Sequence, residues 1–414
     1  MRLITSKRGA AVLKRLANRG ALDLARAEKT TARIVADVRK KGDSALLRYG
    51  RKFDGLSSKT FRVSQSQIDE SWQQVAPEFR VAVETAAENI RRFAEWQKPQ
   101  EWIRDLQTGV RLGQMVRPVE SVGCYVPGGR HPLPSTLLMT VIPAQIAGVS
   151  RIVVVSPRPV PEILAAAALL GITEFYAIGG AQAIAALAYG TKTIPRVSKI
   201  VGPGNAFVTA AKKLIAFDCS IDMLAGPTEV VIVSDTGNAV FIAADLVAQA
   251  EHDPDALAIF ITSHEKLAKQ VLDETERQSA ANHIARQSLR KNGYAIVTSF
   301  PEESIRIAND LAPEHITVPS QRDVAEIQSA GSVFVGDYSP QAAGDYASGP
   351  NHVLPTGGSA RFRGGLSVND FVKLITVQEI SAKGLQTIAR EVSTLAQAEG
   401  LVAHAQSIAV RVNA

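Results

Sequence analysis

The chain has 414 residues, 46% of them hydrophobic and 21% charged, the composition of a soluble globular protein with a large core and room for more than one domain. Its only two cysteines, Cys124 and Cys219, exclude a disulfide framework and a multi-cysteine zinc site and fit a reducing compartment. The 46 Lys+Arg exceed the 40 Asp+Glu by a net +6, scattered except for a modest cluster from Lys7 to Arg26; this favours anionic ligands weakly and lacks the concentrated face of a nucleic-acid binder.

The N-terminus is basic but has no apolar segment followed by a cleavage site, and no apolar run is long enough to cross a bilayer. No secretory signal or membrane span is expected, and the cytoplasm is the expected location. Met1–Arg26 reads as a helix and arm. Residues 1–120 read as mainly helical, with helical spacing of apolar residues over Thr30–Arg51 and Pro77–Lys98. The Gly42-Asp43 and Asp54-Gly55 pairs punctuate them, and Trp72, Trp96 and Trp102 are expected as core or interface anchors.

From about residue 120 the pattern changes. Arg151–Ser156, Glu174–Ile178 and Val197–Val201 are strand candidates, separated by helices over Pro161–Leu170 and Ala181–Tyr189 and followed by one over Asn205–Ile215. A second series has strands at Glu229–Ser234, Ala258–Thr262, Tyr294–Thr298, Ile316–Val318 and Ser332–Val335, with helices between. Strands alternating with helices imply right-handed βαβ units and parallel sheets, so the fold class is α/β with two such units. Gly344–Leu366, rich in Gly, Ser and Pro, is expected as an ordered functional loop or a lid. Ser381–Gln397 reads as a helix and Glu399–Ala414 as a tail.

Several short stretches carry chemical potential, although each alone reads equally as structure. Leu311-Ala312-Pro313-Glu314-His315 places a carboxylate beside an imidazole, the usual proton shuttle, at a proline bend expected to lie at a reachable rim. Val126-Pro127-Gly128-Gly129 and Gly202-Pro203-Gly204-Asn205 are turns that bring main-chain N–H groups near a ligand, without the three-glycine dinucleotide fingerprint. Gln249-Ala250-Glu251-His252 sets Gln249 and His252 on one face of a helix's last turns. In Gly344–His352, the Gly349-Pro350 turn can fold Asp345 and His352 together. His404 follows Glu399 in the tail. His131, His264 and His283 have no such setting and read as structural or surface. With few cysteines, a zinc site has to use His, Asp and Gln or Glu, and Gln249, His252, Asp345 and His404 offer four ligands.

These stretches, with Tyr125-Val126-Pro127-Gly128-Gly129, Ile178-Gly179-Gly180-Ala181-Gln182-Ala183, Val201-Gly202-Pro203-Gly204-Asn205 and Leu224-Ala225-Gly226-Pro227-Thr228-Glu229, resemble the histidinol dehydrogenase family from about residue 30 to the C-terminus. The resemblance implies oxidation of L-histidinol to L-histidine through L-histidinal with two NAD⁺, in histidine biosynthesis. It implies two Rossmann-like domains and a zinc-dependent, intertwined homodimer with no nucleic acid and no membrane as partner. The implied units are an arm over 1–25, a first α/β domain from 26–122 with 229–370, a second Rossmann-like domain over 123–228 on the NAD side, and a helix and tail over 371–414. By the same resemblance Glu314 and His315 are the catalytic pair, and Gln249, His252, Asp345 and His404 hold one zinc ion per subunit. Tyr125, Gln182 and Asn205 contact NAD. Substrate contacts are Thr228, Gln249, His252, His315, Asp345, His352, Glu399 and His404, with Glu399 and His404 acting in the partner subunit's site. Many members carry Ser where this chain has Thr228, which keeps the hydroxyl and adds a methyl. The alternative is a relative oxidising another small polar alcohol such as a sulfonated diol; a different class, a non-catalytic basic protein binding zinc or nucleic acid, would leave Glu314 and His315 idle.

Overall fold

The computed structural model describes residues 1–19, 24–58, 60–128 and 132–413; Gly129, His131 and residues 20–23 of the expected arm lie outside the described residues. Strand β1 (Arg2–Thr5) and helix α1 (Ala10–Ala17) precede helices α2 (Ala25–Lys41), α3 (Asp43–Tyr49), α4 (Gln65–Gln74) and α5 (Pro77–Gln97). A hairpin follows, β2 (Trp102–Gln107) and β3 (Val110–Pro118). Next come β4 (Ser121–Tyr125), α6 (Pro134–Ala147), β5 (Arg151–Val155), α7 (Pro161–Leu169), β6 (Phe175–Tyr176), α8 (Gly180–Tyr189), β7 (Lys199–Val201), α9 (Ala206–Ile215) and β8 (Ser220–Ile221). The second series is β9 (Glu229–Val233), α10 (Ala239–Ala250), β10 (Leu257–Thr262), α11 (Glu265–Gln278), α12 (His283–Asn292), β11 (Gly293–Val297), α13 (Pro301–Leu311), β12 (His315–Val318), α14 (Gln321–Val324) and β13 (Ser332–Val335). Helix α15 (Gln341–Tyr346), strand β14 (Val372–Ile380) and helices α16 (Ala382–Ala398) and α17 (Val402–Val412) complete the chain.

Two parallel sheets carry the molecule, in the orders β6-β5-β4-β7-β8 and β1-β11-β10-β9-β12-β13. Strands β4 and β9 are buried along their whole length, as continuous apolar runs covered by helices on both faces must be. A third, antiparallel sheet, β14-β3-β2, pairs the C-terminal strand with the hairpin. Its outer strands β2 and β14 are largely exposed, with Trp102, Ile103, Leu106, Leu374 and Ile375 open to solvent.

Several expectations change. The N-terminal region is not helical throughout: β1 joins the six-stranded sheet beside β11, and β2 and β3 lie before residue 120. Helices α2 to α5 pack on the helices of the five-stranded sheet, α2 on α8 and α9, α4 on α7, α5 on α6, and share its cores. That packing is at variance with grouping 26–122 with 229–370. Trp72 packs at the edge of that core, whereas Trp96 and Trp102 are exposed. The expected tail folds as α17, which packs on α16. No helix among the described residues is long and apolar enough to cross a membrane.

In an open parallel sheet, ligands bind where the strand order reverses, outside the carboxyl ends of the strands. In the five-stranded sheet the reversal falls between β4 and β7, and the turn Gly202-Pro203-Gly204 lies there. Gly202 has φ of 114°, and a Cβ on it would stand 2.1 Å from the Tyr125 carbonyl, so only glycine fits. A buried ion pair holds the turn. The Asp222 carboxylate accepts from Gly202 N–H at 2.7 Å, Lys212 Nζ donates to the Gly202 carbonyl at 2.8 Å, and Lys212 pairs with Asp222. Both side chains are almost fully buried, so removing one strands the other's charge. Lys212→Met is expected to lower the unfolding free energy by about 3–5 kcal/mol, measured by chemical denaturation.

Candidate active site

Helix α13 stops because Pro313 follows it. Ala312 caps it with φ of 45°, a left-handed conformation that costs a residue with a Cβ, and its N–H returns to the Ala308 and Asn309 carbonyls. The chain then enters β12, whose parallel register sets His315 beside Val230 of β9. Thr228 and Glu229 at the start of β9 thereby meet Glu314 and His315 at the start of β12. This is the amino edge of the six-stranded sheet, opposite to the edge such sheets normally use.

The pair is buried rather than at an exposed rim: Glu314 is 7% exposed and His315 3%. Glu314 Oε2 accepts from the Thr228 hydroxyl at 2.5 Å and from Glu229 N–H at 2.8 Å. His315 Nδ1 lies 3.1 Å from the Glu229 carbonyl, which can only accept, so the Nδ1 proton is donated there and Nε2 faces Asp345 Oδ1 at 3.7 Å. The Phe334 ring stands against the imidazole at 5.9 Å between centroids. Burial pushes the Glu314 carboxyl up to about 7, against the opposing pull of His315, the Thr228 hydroxyl and Glu229 N–H. For His315 burial alone would lower the pKa, but the Glu314 and Asp345 carboxylates raise it.

Gln249, in the last turn of α10, is 1% exposed and donates from Nε2 to the Thr228 hydroxyl. Thr228 therefore links Gln249 to Glu314 through one oxygen. His252 lies past the end of α10, which stops at Ala250 rather than near Asp253, and its ring makes no hydrogen bond among the described residues. Asp345, on α15, has its carboxyl raised by burial but lowered further, below the usual range, by His315, His352 and His252 around it. The Gly349-Pro350 turn folds back as expected. Gly349 takes φ of 112°, and His352 Nδ1 donates to the Asp345 carbonyl at 2.8 Å. His352 Nε2 reaches the Thr136 hydroxyl of α6 at 3.3 Å.

Glu399 and His404 are not brought to this site. Both are exposed, His404 on α17 and Glu399 at the end of α16, and neither bonds to a site residue among the described residues. Nor do the described residues of one chain hold a metal-competent cluster of three or more His, Cys, Asp or Glu.

Tyr125, Gln182 and Asn205, far apart in sequence, line one cavity of about 370 Å³ at the carboxyl edge of the five-stranded sheet. Asn205 Oδ1 caps α9, accepting from Phe207 and Val208 N–H, which leaves its Nδ2 for a ligand. Tyr125 OH accepts from Gly180 N–H at 3.1 Å. In the sequence Asp54 reads only as punctuation between helices. It lines this cavity, and its Oδ2 accepts from Gly179 N–H and Gln182 Nε2, both at 3.1 Å, which orients the Gln182 amide. Burial raises its carboxyl. No local signal marks it, because its partner lies 128 residues away.

The family model for histidinol dehydrogenase matches residues 17–412. The chain belongs to the histidinol dehydrogenase family. The histidinol dehydrogenase of Methanothermobacter thermautotrophicus is 45% identical over 407 residues, spanning 95% of this chain and 96% of that protein. That of Bacillus cereus is 46% identical over 395 residues, 93% and 92%. The crystal structure of histidinol dehydrogenase from Elizabethkingia anophelis superposes with a TM-score of 0.92 at 39% identity, covering 97% of this chain and 96% of that one. Membership of the histidinol dehydrogenase family makes the chain an NAD-dependent oxidoreductase of histidine biosynthesis. It supports that reading over a sulfonated-diol enzyme or an idle binding protein.

The Thr228 hydroxyl is the atom that bonds to both Glu314 and Gln249. Thr228→Ser is therefore expected to stay within about threefold of the parent in kcat/KM, while Thr228→Val, of similar shape, loses about 10–100-fold in a steady-state NADH assay.

Proposed function

We propose that the chain oxidises L-histidinol to L-histidine by way of L-histidinal, with His315 as the proton acceptor in both oxidations and Glu314 as the base that activates water between them. The observation that carries this is the division of hydrogen bonds at the amino edge of β9 and β12. His315 gives its Nδ1 proton to a main-chain carbonyl, leaving Nε2 to accept one. Glu314 keeps one carboxylate oxygen bonded to Thr228 and Glu229 and has the other for water.

In the first oxidation the alcohol proton passes to His315 Nε2 as the carbinol hydrogen leaves as hydride. Bound NAD⁺ supplies the hydride acceptor for both oxidations. Glu314 then takes a proton from water as its oxygen adds to the aldehyde carbon, and His315 returns the proton it took from the alcohol to the carbonyl oxygen, which completes the gem-diol and frees Nε2 to accept again. The resulting gem-diol loses its second hydride while His315 again accepts the hydroxyl proton. Burial of both side chains excludes competing water from these transfers. Tyr125, Gln182 and Asn205 are proposed to contact the nucleotide, and Thr228 and His352 the substrate.

Gln249, His252 and Asp345 fit a zinc ion by donor chemistry: an amide oxygen, an imidazole with no ring hydrogen bond among the described residues, and a carboxylate that the surrounding histidines favour in its ionised form. When bound, zinc would supply a fixed cation that holds the substrate's imidazole and amino nitrogens. Those donors are three of the four protein ligands that the zinc would take. His404 of a second copy is proposed to complete the set, with Glu399 as a substrate contact, in a cytoplasmic homodimer. The exposed apolar residues of β2 and β14, and Leu395, Leu401 and Val402 near the C-terminus, favour such an assembly.

His315→Asn should suppress oxidation of both L-histidinol and added L-histidinal, whereas Glu314→Gln should spare the first hydride transfer and lose the second. Equal loss on the two substrates in Glu314→Gln argues against the water-activating role. In the parent, L-histidinal oxidation should rise as pH increases through about 7, because burial has raised Glu314 and only its ionised form accepts a proton. A separate expectation concerns the assembly. His404→Ala and His315→Asn proteins, each inactive, should regain turnover when unfolded and refolded together, because a mixed dimer contains one intact site; no regain removes the contribution in trans.

A further inference from the structure

The group that fixes both members of the pair is the main chain of Glu229: its N–H donates to Glu314 and its C=O accepts from His315. The Glu229 side chain is buried and enters a second set of contacts. Arg19, in the N-terminal arm, meets it with a two-pronged guanidinium fork, Nε to Oε1 and Nη2 to Oε2, both at 2.6 Å. The third guanidinium nitrogen is also committed, donating to the Leu16 carbonyl at 2.8 Å and the Leu311 carbonyl at 2.7 Å. Gly357 N–H, from the glycine-rich loop, donates to Oε1 at 3.0 Å.

The Arg19–Glu229 contacts thus join α1, the end of α13, the start of β9 and the loop around one carboxylate. Leu311 immediately precedes the Ala312-Pro313 bend that delivers Glu314. Arg19 therefore holds both ends of the arrangement, the residue whose main chain receives the pair and the segment that presents it. A fork of this kind fixes orientation as well as distance, which a point charge does not.

The geometry points to Arg19 and Glu229 as positioning residues for the oxidation, a buried ion pair that keeps the Glu229 peptide groups aligned on Glu314 and His315. This rests on the reading of Glu314 and His315 as the catalytic pair. Neither Arg19 nor the Glu229 side chain touches the reacting atoms, and their effect is exerted through the main chain. Small displacements at such a point are costly in rate, with an ångström worth about 10²-fold. Because the Glu229 main chain serves both members of the pair, its loss should depress both oxidations, unlike loss of the Glu314 carboxylate alone.

The test compares kcat and KM for L-histidinol and for added L-histidinal, with NAD⁺ and zinc present, in full-length Glu229→Gln, Arg19→Lys and the double variant Arg19→Gln/Glu229→Gln. Glu174→Gln serves as control, since it weakens the Arg151–Glu174 fork at the far sheet. Glu229→Gln should lose about 10²-fold in kcat on both substrates with KM within about threefold, and the neutral double variant should recover about tenfold of it. Arg19→Lys keeps the charge without the fork and should lose about tenfold, which decides the matter if Glu229→Gln does not fold. Parent-like kcat in folded Glu229→Gln or Arg19→Lys, or a loss matched by Glu174→Gln, overturns the inference. His315→Asn is run beside them. If it retains turnover, the catalytic pair itself is wrong; if it is inactive while Glu229→Gln behaves like the parent, only the positioning role fails.

Discussion

Parallel pairing of β12 with β9 is the constraint on which the site depends. A one-residue slip in that register would turn every side chain of β12 to the other face and carry His315 away from the Glu229 carbonyl. The pairing is secured by apolar content, since Val231, Ile316 and Val318 are buried in one core with Val233. The chemistry is therefore held by hydrophobic burial that plays no part in it. At the end of this ladder, hydrogen-bonding groups of the main chain and of Thr228 meet Glu314 and His315.

The two sheets are used in opposite senses. Tyr125, Gln182 and Asn205 gather at the carboxyl edge of the five-stranded sheet, where the strand order reverses. Thr228, Glu314 and His315 gather at the amino edge of the other. The two edges are bridged by the segment after α15. His352 in that segment bonds to Asp345 and approaches Thr136 of the nucleotide-side unit, and Asn351 Nδ2 donates to the Met139 carbonyl at 2.6 Å.

Much of this was legible in the chain itself. The alternation of short β-branched runs with helices marked both parallel sheets, and Pro313 marked the bend before Glu314. The Gly349-Pro350 turn brought Asp345 and His352 together as its composition implies. What could not be read locally was long-range. Burial of Glu314 and His315 comes from strands β9 and β13 on either side of β12. The place of Asp54 comes from a contact with Gln182 at the cavity of the five-stranded sheet. Strand β2 is not legible because a fully exposed strand lacks the apolar alternation that betrays a half-buried one. Helix α17 was hidden by the Glu399-Gly400 break that precedes it.

The glycine-rich segment from Gly344 to Leu366 has one more consequence. Surface loops of that composition ordinarily absorb insertions and deletions with little harm. Here its early part is bonded to α6, Thr356 Oγ1 accepts from Gly226 N–H, and Gly357 reaches the Glu229 carboxylate. The number of residues between these anchors is therefore a measured span. In this fold, length variation should be poorly tolerated in this flexible-looking stretch, which behaves as a strut.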